Sequence, residues 1–378
     1  MKKRVKVVHL TTVHHPYDPR IYYKQCMSLH ESDRYDVTLI AQAPKEGIDK
    51  TKPIEHIVLP TYKKRLSRMI FGTRHVYKQA KALQADIYVF HDPELLWVGK
   101  RLKRKDNVVV YDIHEDYVTS ILQKTYLNKS FREMAAKMYT ILEKICTTNM
   151  ELSLAEKYYK DFYPNGTCIL NYPIVNETLM KQDDSGQTIE KKLLYTGNVT
   201  KDRGALIHAS LPTLDADIEM QFIGKCQGKL AKEMNKTAGK SKDRLHIEGI
   251  DTFVVKDQID KMYHQHRWLA GVALFPPTKH YMKKELTKFF EYMSAGIPIL
   301  CSDFPLWKDF VEEHQCGNAV DPYDEAAIQE AIQFLKNHPE KAAELGANGR
   351  HAIANDLNWK AEEKKLFSWY DELVKEKC

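Results

Sequence analysis

Two clusters of acidic and histidine side chains follow predicted β-strands in the N-terminal half of the sequence. His91 and Asp92 come directly after one apolar run, and Asp112, His114 and Glu115 end another. Polar side chains packed this densely at the carboxyl ends of strands are costly to bury unless they are fully paired or have a task. A single histidine would favour a structural role. Two clusters on strands expected to lie near one another favour a functional cleft.

The loop after the first predicted strand carries the same kinds of groups. Residues 11–20 include two threonines, two histidines, Asp18 and Arg20. In doubly wound parallel sheets, ligands bind outside the carboxyl ends of the strands. We therefore expect this loop to lie beside the two acid–histidine clusters.

In the C-terminal half, a strand–turn–helix pattern suits a phosphate ligand. A strand ending at Thr196 is followed by a turn containing Gly197, and then by Arg203 and Gly204, which lead into a helix. A glycine lets a phosphate approach the backbone, and a guanidinium at a helix start can bind it through two hydrogen bonds. The alternative is a surface arginine after an ordinary turn.

A second pattern in this half combines a cation with a carboxylate. Residues 285–299 predict a helix that ends at Gly296 and leads into a buried strand. Lys288 and Glu291 are three residues apart, so they share one face of the first turns. A cation at a helix N-terminus can hold a diphosphate, and a carboxylate one turn later can accept hydrogen bonds from ribose hydroxyls. The alternative is an ion pair within the helix.

The elements that must position these residues are short β-branched runs alternating with longer helical patterns, which is typical of α/β proteins with parallel sheets. The strands predicted in the first half are Val5–Leu10, Asp36–Ala41, His56–Leu59, Asp86–His91, Asn107–Asp112, Glu151–Leu154 and Thr167–Leu170. After a polar gap, the strands predicted in the second half are Lys192–Thr196, Glu219–Ile223, Leu245–Glu248, Gly271–Phe275, Ile297–Cys301 and Gly317–Val320.

This repetition predicts two successive doubly wound units, residues 1–175 and 187–355. Asn171-Tyr172-Pro173 and the polar stretch 181–192 form the natural linker, because Pro173 favours an extended turn. An amphipathic helical pattern closes the chain within residues 356–378 and could pack on either unit.

The net charge of the 378 residues is +6, and it is unevenly distributed. Residues 1–171 have ten more basic than acidic residues, whereas the remainder has four more acidic than basic ones. A cluster of basic residues alternating with apolar ones consists of Lys63, Lys64, Arg65, Arg68 and Arg74. This basic cluster suits an anionic membrane surface as well as a solvated helix face. A second cluster, residues 100–105, favours the solvated face.

Several classes of protein are excluded by the sequence. No apolar run approaches the ~20 residues needed to cross a bilayer, and no Gly-x-Gly pair supplies a dinucleotide fingerprint. None of the standard nucleic-acid-binding signatures is present, so no nucleic-acid partner is expected. The seven cysteines are scattered without metal-binding spacing and predict reduced thiols. No export signal is recognisable, which leads us to expect a cytoplasmic protein.

Five motifs occur together in this chain: Asp18-Pro19-Arg20, His91-Asp92-Pro93, Asp-x-His-Glu from Asp112 to Glu115, Gly…Arg-Gly from Gly197 to Gly204, and Thr-Lys-x-x-Glu-Tyr-x-x-x-Gly-x-Pro from Thr287 to Pro298. Together they resemble glycosyltransferase family 4, the group 1 glycosyltransferases of GT-B architecture. The last motif is the most specific, and the resemblance covers nearly the whole chain. It implies two Rossmann-like domains that face each other across a cleft.

The resemblance also implies a role for each domain. Residues 187–355 would bind a nucleotide-diphosphate sugar, with UDP as the expected nucleotide. Residues 1–175 would bind a glycan or polyprenyl-linked acceptor, and the closing helix would cross back onto them. The reaction would belong to bacterial surface polysaccharide synthesis at the inner face of the plasma membrane.

By position in the motifs, the expected donor-binding residues are Gly197, Arg203, Lys288 and Glu291. Arg203 and Lys288 would neutralise the diphosphate, and His114 would lie by the transferred sugar, so these three are the expected catalytic residues. The candidates on the acceptor side are His91, Asp92, Glu115, Asp18 and Arg20. Two fixed cations can stabilise a leaving diphosphate without a metal, so we expect no metal and no other cofactor.

The chain departs from the family pattern at two places. Lys283 stands where members often carry a glutamate near the donor sugar, and Glu285 could substitute for it; the expectation of a retained anomeric configuration rests on that carboxylate. The opening loop lacks the paired glycines that many relatives place near the phosphates.

Two alternative functions are a nucleotide-sugar epimerase of the same fold and a catalytically silent sugar-binding or scaffold subunit.

Overall fold

The chain forms two compact units in the computed structural model, which describes residues 4–44, 47–49, 51–124, 128–180, 188–278 and 281–376. Unit 1 consists of Met1–Asn171 and Trp359–Cys378, and unit 2 consists of Tyr172–Asn358. Residues 181–187 of the expected linker, and with them the start of the domain expected from residue 187, lie outside the described residues.

A seven-stranded parallel sheet forms the centre of unit 1, in the order β3-β2-β1-β4-β5-β6-β7. Its strands are β1 (Val5–Leu10), β2 (Tyr35–Gln42), β3 (Glu55–Leu59), β4 (Ile87–Phe90), β5 (Val108–Ile113), β6 (Glu151–Leu154) and β7 (Thr167–Cys168). Because β1 pairs with both β2 and β4, the strand order reverses at β1. Such a reversal opens a crevice for ligands at the carboxyl ends of the strands.

Unit 2 is built around a six-stranded parallel sheet in the order β10-β9-β8-β11-β12-β13. Its strands are β8 (Lys192–Thr196), β9 (Glu219–Cys226), β10 (Leu245–Ile250), β11 (Ala270–Ala273), β12 (Ile299–Ser302) and β13 (Gly317–Val320). The order reverses at β8, which pairs with β9 and β11. The prediction of an α/β protein with two doubly wound parallel sheets is confirmed.

The alternation of side chains along the strands explains why both faces of the first sheet are apolar. Val8, Leu10 and Phe90 belong to one buried cluster, whereas Val7 and Val89 belong to another. Successive residues of a strand point to opposite faces, so each strand contributes to both clusters. Helices cover both faces of such a sheet, and its strands therefore read as continuous apolar runs.

Strand β11 ends two residues earlier than the sequence predicts. The backbone N–H of Leu274 donates to Nε2 of His208 over 2.8 Å, and the N–H of Phe275 donates to Oγ of Ser302 over 2.8 Å. Side chains thus replace the strand-to-strand bonds at these two residues. The apolar pattern continues through them, which is why the sequence predicts a longer strand.

The α-helices of unit 1 are α1 (Met27–Glu31), α2 (Arg65–Ser67), α3 (Thr73–Leu83), α4 (Leu96–Leu102), α5 (Tyr117–Leu122), α6 (Lys129–Thr147) and the closing α15 (Trp359–Lys375). Those of unit 2 are α7 (Glu177–Met180), α8 (Ala205–Leu214), α9 (Gly228–Ala238), α10 (Lys256–Gln265), α11 (Thr287–Ser294), α12 (Pro305–Glu313), α13 (Glu325–Asn337) and α14 (Pro339–Asn355). Two π-helical segments, Pro19–Cys26 and Arg68–Gly72, lie in unit 1. The 3₁₀ turns are Pro93–Leu95, Lys157–Asp161, Lys201–Arg203, Gly239–Arg244 and Tyr281–Lys283.

The closing helix α15 packs into the core of unit 1. Trp359, Leu366 and Tyr370 are buried in the same cluster as the residues of β1. The fully buried carboxylate of Glu362 accepts a hydrogen bond from the backbone N–H of Leu170 over 2.8 Å. Apolar burial and a long-range hydrogen bond therefore join the two ends of the chain in one unit.

Across the described ranges, every helix is too short or too polar to cross a lipid bilayer.

Candidate active site

The turn after β8 begins the candidate site of unit 2. Gly197 has φ of +90°, and open space surrounds the position where a Cβ would lie. A Cβ on Gly224 would meet the Gly197 carbonyl oxygen at 1.9 Å, and a Cβ on Gly204, where φ is +75°, would meet the Leu274 carbonyl oxygen at 1.9 Å. The backbone at Gly197 is accessible, as a phosphate site requires, while two other glycines allow close approach of the surrounding chain.

Arg203 ends the 3₁₀ turn that precedes α8. Its Nε donates to the Tyr281 hydroxyl over 3.1 Å, and that hydroxyl donates to the Asp202 carboxylate over 3.0 Å. The half-buried guanidinium has five N–H donors in a rigid plane. The hydrogen bond from Nε to Tyr281 uses one of these donors and orients the plane. The Nη groups are the part of Arg203 suited to bind an anion.

Lys288 is the second residue of α11, and only 8% of it is exposed. Its Nζ donates to the Thr196 carbonyl oxygen over 3.1 Å and lies 3.6 Å from the centroid of the Tyr195 ring. Burial and the positive charge of Arg203 lower the pKa of Lys288 well below its usual value, against the attraction of Glu291. A buried cation beside a second cation is a costly arrangement that an anionic ligand would relieve.

Glu291 lies in the next turn of α11 and pairs with Lys256 of α10 over 3.1 Å. Its Oε2 accepts a hydrogen bond from the Tyr263 hydroxyl over 2.9 Å, and that hydroxyl lies 3.0 Å from Oγ1 of Thr196. Glu291 therefore pairs with Lys256, and not with Lys288 as the alternative of an ion pair within the helix predicts. A carboxylate with one donor on each oxygen retains lone pairs for ribose hydroxyls.

These contacts bring the four expected donor-binding residues to the carboxyl end of one sheet. Thr196, the last residue of β8, contacts Lys288 directly and Glu291 through Tyr263. Gly197 follows Thr196, and Arg203 is close enough to affect the pKa of Lys288. Two cations beside an accessible backbone can hold a diphosphate, and a fixed carboxylate can hold a sugar diol.

Asp112, in β5, is the centre of a buried polar network in unit 1. Its carboxylate accepts hydrogen bonds from Nε and Nη2 of Arg20 over 2.9 and 2.6 Å, from Gln25 over 2.9 Å and from Ser153 over 2.8 Å. Burial alone would raise the pKa of Asp112, but Arg20 and two histidine hydrogen bonds hold it well below its usual value. The carboxylate is therefore ionised and can orient its neighbours.

Two histidine pairs extend from Asp112. Nδ1 of His91 lies 3.0 Å from Oδ2 of Asp112, and its Nε2 lies 3.0 Å from Nδ1 of His9. Nδ1 of His114 lies 3.4 Å from the same carboxylate oxygen, and its Nε2 lies 3.0 Å from Nε2 of His14. Since an ionised carboxylate only accepts, His91 and His114 donate their Nδ1–H groups and present Nε2 as an acceptor.

The two pairs differ in their access to solvent. Burial lowers the pKa of His91, and it lowers the pKa of His9 still further with a contribution from His91. His14 and His114 are half-buried, and His14 also lies 3.3 Å from the Asp92 carboxylate. The outer pair can therefore reach a ligand, whereas the inner pair supports it from within the core.

Asp18 and Arg20, two of the acceptor-side candidates, hold the opening loop in place. Asp18 accepts hydrogen bonds from the backbone N–H groups of Arg20 and Ile21, over 2.8 and 3.0 Å, and so caps the helical segment Pro19–Cys26. Arg20 is buried, and Nη2 also donates to the Ile169 carbonyl oxygen over 2.9 Å. Both side chains thus have structural partners within unit 1.

Asp92 organises the loop that follows β1. Its Oδ2 accepts from Oγ1 of Thr11 over 2.9 Å, from the backbone N–H of Thr12 over 2.5 Å and from that of Val13 over 3.2 Å. The backbone N–H groups of Thr12 and Val13 are therefore bound by a carboxylate of the same unit. The acid–histidine cluster at 91–92 and the opening loop come together as expected.

Glu115, the remaining acceptor-side candidate, follows His114 and is exposed. It lines a 520 Å³ groove together with Glu94, Trp97 and Tyr117. Carboxylates in such a groove can accept hydrogen bonds from sugar hydroxyls, while aromatic rings offer flat apolar faces.

One group of side chains has spacing that could suit a metal ion. His91, Asp112 and His114 each offer a ligand atom, and these atoms lie within 4.8 Å of one another. The Asp112 carboxylate already pairs with the Arg20 guanidinium, and that fixed positive charge disfavours a divalent cation. The donor set fits a hydrogen-bonded histidine network better than a metal centre.

Four other charged residues of unit 2 lie in different surroundings. Asp215 and Asp217 follow α8 and form ion pairs with Lys336 of α13. Lys283, in the position where relatives often carry a glutamate, lies exposed in the 3₁₀ turn Tyr281–Lys283, and Glu285 is half-buried two residues later.

Among the residues of these sites that the sequence analysis does not single out are His14, Lys256 and Tyr263. His14 lies in the opening loop, where hydroxyl and imidazole groups mark the segment but not the residue. Lys256 and Tyr263 belong to an amphipathic helix without a recognisable motif. Only tertiary packing shows that they contact His114 and Glu291.

Comparison with known families shows a match over unit 2. Residues 188–352 match the family described as glycosyl transferases, group 1. This region contains Gly197, Arg203, Lys288 and Glu291. The match supports a transferase enzyme with a group 1 glycosyltransferase domain. Among curated proteins, no sequence matches this chain.

Solved structures resemble the chain over nearly its full length. Sucrose-phosphate synthase from Thermosynechococcus elongatus is 17% identical with a TM-score of 0.70, over 98% of this chain and 99% of the synthase. A glycosyltransferase from Rickettsia africae is 13% identical with a TM-score of 0.73, over 98% and 99%. HepE from Anabaena, in complex with UDP, is 12% identical with a TM-score of 0.70, over 98% and 100%. The expected GT-B fold is confirmed by this similarity.

Proposed function

We propose that this protein is a glycosyltransferase that moves a sugar from a UDP-linked donor to a glycan or lipid-linked acceptor in bacterial surface polysaccharide synthesis. The observation that carries the proposal is the buried Lys288 ammonium, whose pKa is lowered by burial and by the Arg203 charge. Such a cation destabilises the unliganded protein and becomes favourable only when an anion binds. A diphosphate is the anion that a group 1 glycosyltransferase domain would bind at this position.

Charge development explains why two cations would accelerate the transfer. Breaking the bond between sugar and diphosphate leaves negative charge on the leaving oxygen. Arg203 and Lys288 are already fixed by Tyr281 and by the Thr196 carbonyl, so they need little reorganisation when this charge appears. In this proposal the reaction is independent of metals, because the protein supplies the positive charge itself.

The remaining donor contacts follow from the surroundings of α11. Glu291, fixed by Lys256 and Tyr263, would accept the ribose hydroxyls. Gly197, which has no side chain, would let the phosphates approach the backbone of the turn after β8. HepE, which shares the fold, was solved with UDP, and this supports UDP as the nucleotide.

In unit 1, His114 would contact the transferred sugar by exchanging the hydrogen bond of its Nε2 with His14 for one with a sugar hydroxyl, while Asp112 fixes the tautomer through Nδ1. Glu115 and the half-buried His14 would lie on the acceptor side. His91 and Asp92 would act indirectly, because they position Asp112 and the opening loop. We further propose that the anomeric configuration is retained and that the protein works at the inner face of the plasma membrane.

The donor half of the proposal is tested by binding. We expect UDP and UDP-sugars at 100 times their Kd to stabilise the protein by about 2.7 kcal/mol, and Arg203→Ala and Lys288→Ala each to remove most of this stabilisation. The matched control is Lys336→Ala, in a lysine of the same unit that pairs with Asp215. Equal UDP stabilisation in the wild type and in both site variants would contradict the proposal.

The transfer half is tested with a panel of radiolabelled UDP-sugars and extracted glycolipids, in buffer containing a metal chelator. Label moving into the lipid fraction, with no such transfer by Arg203→Ala, supports a metal-independent transferase. Interconversion of the nucleotide sugar without any acceptor would identify an epimerase instead. Donor binding without either reaction would identify a sugar-binding subunit.

A further inference from the structure

The outer face of α6 exposes a row of large apolar side chains. They are Phe131, Met134, Met138, Ile141, Leu142 and Ile145, each between 50% and 64% exposed. Spacings of three, four and seven residues put them on one side of the helix. Ala136, Glu143 and Cys146 are buried on the opposite side. A surface helix normally exposes polar residues, so an apolar row on its outer side indicates an interaction surface.

A second exposed apolar segment lies next to α6. Leu66 is 72% exposed, and Met69, Ile70 and Phe71 are 40–53% exposed. Met69 and Leu142 line the same 520 Å³ groove, and so does Trp97, which is 57% exposed. The groove therefore joins segment 66–71, the start of α4 and the outer side of α6. We call these exposed side chains, from 66–71, Trp97 and α6, the apolar face.

Basic residues lie close to the apolar face, both in the neighbouring sequence and on the same helices. Those that are exposed are Lys63, Lys64, Arg65, Arg74, Lys100, Arg101, Lys129, Lys137 and Lys144. Fewer acidic residues are exposed there: Glu133 of α6 and Glu115 at the groove are exposed, whereas Glu143 of α6 is buried. The exposed surface therefore combines apolar side chains with a clear excess of positive charge.

One residue of the basic cluster has a different role. Arg68 binds the Glu94 carboxylate through Nε over 2.9 Å and through Nη2 over 3.1 Å. This carboxylate neutralises its charge, so Arg68 contributes less to a positive surface than the exposed residues Lys63, Lys64 and Arg65.

We propose that the apolar face docks on a bilayer containing anionic lipids, with α6 lying along the membrane surface. The helix has 19 residues and would be about 28 Å long. Its apolar side chains would enter the boundary between headgroups and acyl chains, while the flanking lysines contact lipid phosphates. This inference deepens the proposed function, because it names the surface by which unit 1 would reach a lipid-linked acceptor.

Charge complementarity favours an anionic membrane over a second copy of this chain. In a two-fold symmetric dimer the same patch lies on both sides of the interface, so the lysines of α6 would face those of the other copy. An anionic lipid surface attracts these lysines instead, at about 1 kcal/mol for each cation near it. The membrane is thus the occupant that satisfies both the apolar and the positive parts of the face.

The test is flotation of the full-length protein with vesicles of phosphatidylcholine alone or mixed with phosphatidylglycerol. We expect binding only to the mixed vesicles and weaker binding at high salt. Lys137→Gln/Lys144→Gln should lower the vesicle affinity roughly 30-fold. Met138→Gln/Ile141→Gln, which leaves the charge unchanged, should lower it about 100-fold. The control variants Lys360→Gln and Phe253→Gln change an exposed lysine and an exposed apolar residue elsewhere and should bind as the wild type does.

Two results would overturn this inference. One is wild-type protein that stays unbound on mixed vesicles at low salt. The other is a dimer in analytical ultracentrifugation that Met138→Gln/Ile141→Gln disrupts, together with unchanged vesicle binding by that variant. UDP-induced thermal stabilisation is measured on the same samples. If it persists when vesicle binding fails, the docking surface is wrong while the proposed donor site stands; if UDP has no effect on the wild type, the proposed function fails instead.

Discussion

Replacing Lys288 by methionine tests whether this lysine binds a ligand or stabilises the fold. Methionine has a similar length without the charge, and the ammonium it removes is buried with a carbonyl partner and the face of the Tyr195 ring, which methionine can still contact. Each unit by which a pKa is lowered corresponds to about 1.4 kcal/mol of cost for the charged form. We therefore expect Lys288→Met to leave the unliganded protein as stable as the wild type or more stable, with Tm unchanged or a few degrees higher. A hydrogen bond to a charged group contributes about 1.5–3 kcal/mol, so Kd for UDP should rise about 10- to 150-fold.

Isothermal titration calorimetry gives Kd for UDP, and differential scanning calorimetry gives Tm. The matched control is Lys336→Met, since Lys336 pairs with Asp215 and with Asp217 over 3.5 Å. Removing this lysine leaves the Asp215 carboxylate without its lysine, whereas Asp217 keeps Lys191 at 2.9 Å. The Tm should therefore fall while the UDP affinity stays the same. Wild-type UDP affinity in Lys288→Met would refute the diphosphate site. A fall in Tm as large as that of Lys336→Met would refute the argument that Lys288 is costly to bury.

Gly204→Ala should destabilise the protein by roughly 3 kcal/mol or more, because φ is +75° and the new Cβ would meet the Leu274 carbonyl oxygen at 1.9 Å. In urea unfolding, Gly239→Ala, with φ of +56° and no neighbour within 4 Å, should lose only the cost of the backbone conformation, about 1–2 kcal/mol. A loss as small in Gly204→Ala would contradict the close approach. Burial, aided by a nearby arginine, lowers the pKa of Lys24 to about 7. Between pH 7 and 10.5 only the unfolded state then holds this proton, so the free energy of unfolding should rise with pH by up to about 1.4 kcal/mol per unit, and Lys24→Met should show a flatter profile in urea titrations. Burial also lowers the pKa of His208 well below its usual value; the unfolded state therefore takes up the extra proton below pH 6.5, and stability should fall with acidification there, which thermal melts at pH 7.5 and 5.5 would check.

The fold is predictable from the sequence because parallel strands buried on both faces leave a strong local signal. Runs such as Val108–Val110 contain little besides β-branched residues, and each is followed by a helical pattern. Strand ends are less certain, as β11 shows, because the side chains of His208 and Ser302 capture the backbone donors of the next two residues. That exchange depends on elements distant in sequence and has no local signature.

The residues of the candidate site can be predicted from the sequence where a local motif contains them. They cannot be predicted where the contact depends on the packing of distant segments. Lys288 and Glu291 are recognisable from their spacing, since three residues put them on one helix face. The partner of Arg20 is not, because Asp112 lies 92 residues away and only the fold brings the two together. The exposed row on α6 is also missed, because periodicity shows that a helix is amphipathic but not whether its apolar side faces the core.

The return of the last helix to the first unit makes unit 2 an insertion within unit 1. Lys24 shows how near the two crossing points are: its Nζ donates to the Asn171 side chain over 2.8 Å and lies 5.9 Å from the Trp359 ring. A short engineered loop from Asn171 to Trp359 would yield unit 1, with its seven-stranded sheet, as one continuous polypeptide without unit 2. Truncation after Asn171 would instead strip Leu366 and Tyr370 from the apolar cluster that β1 shares with them.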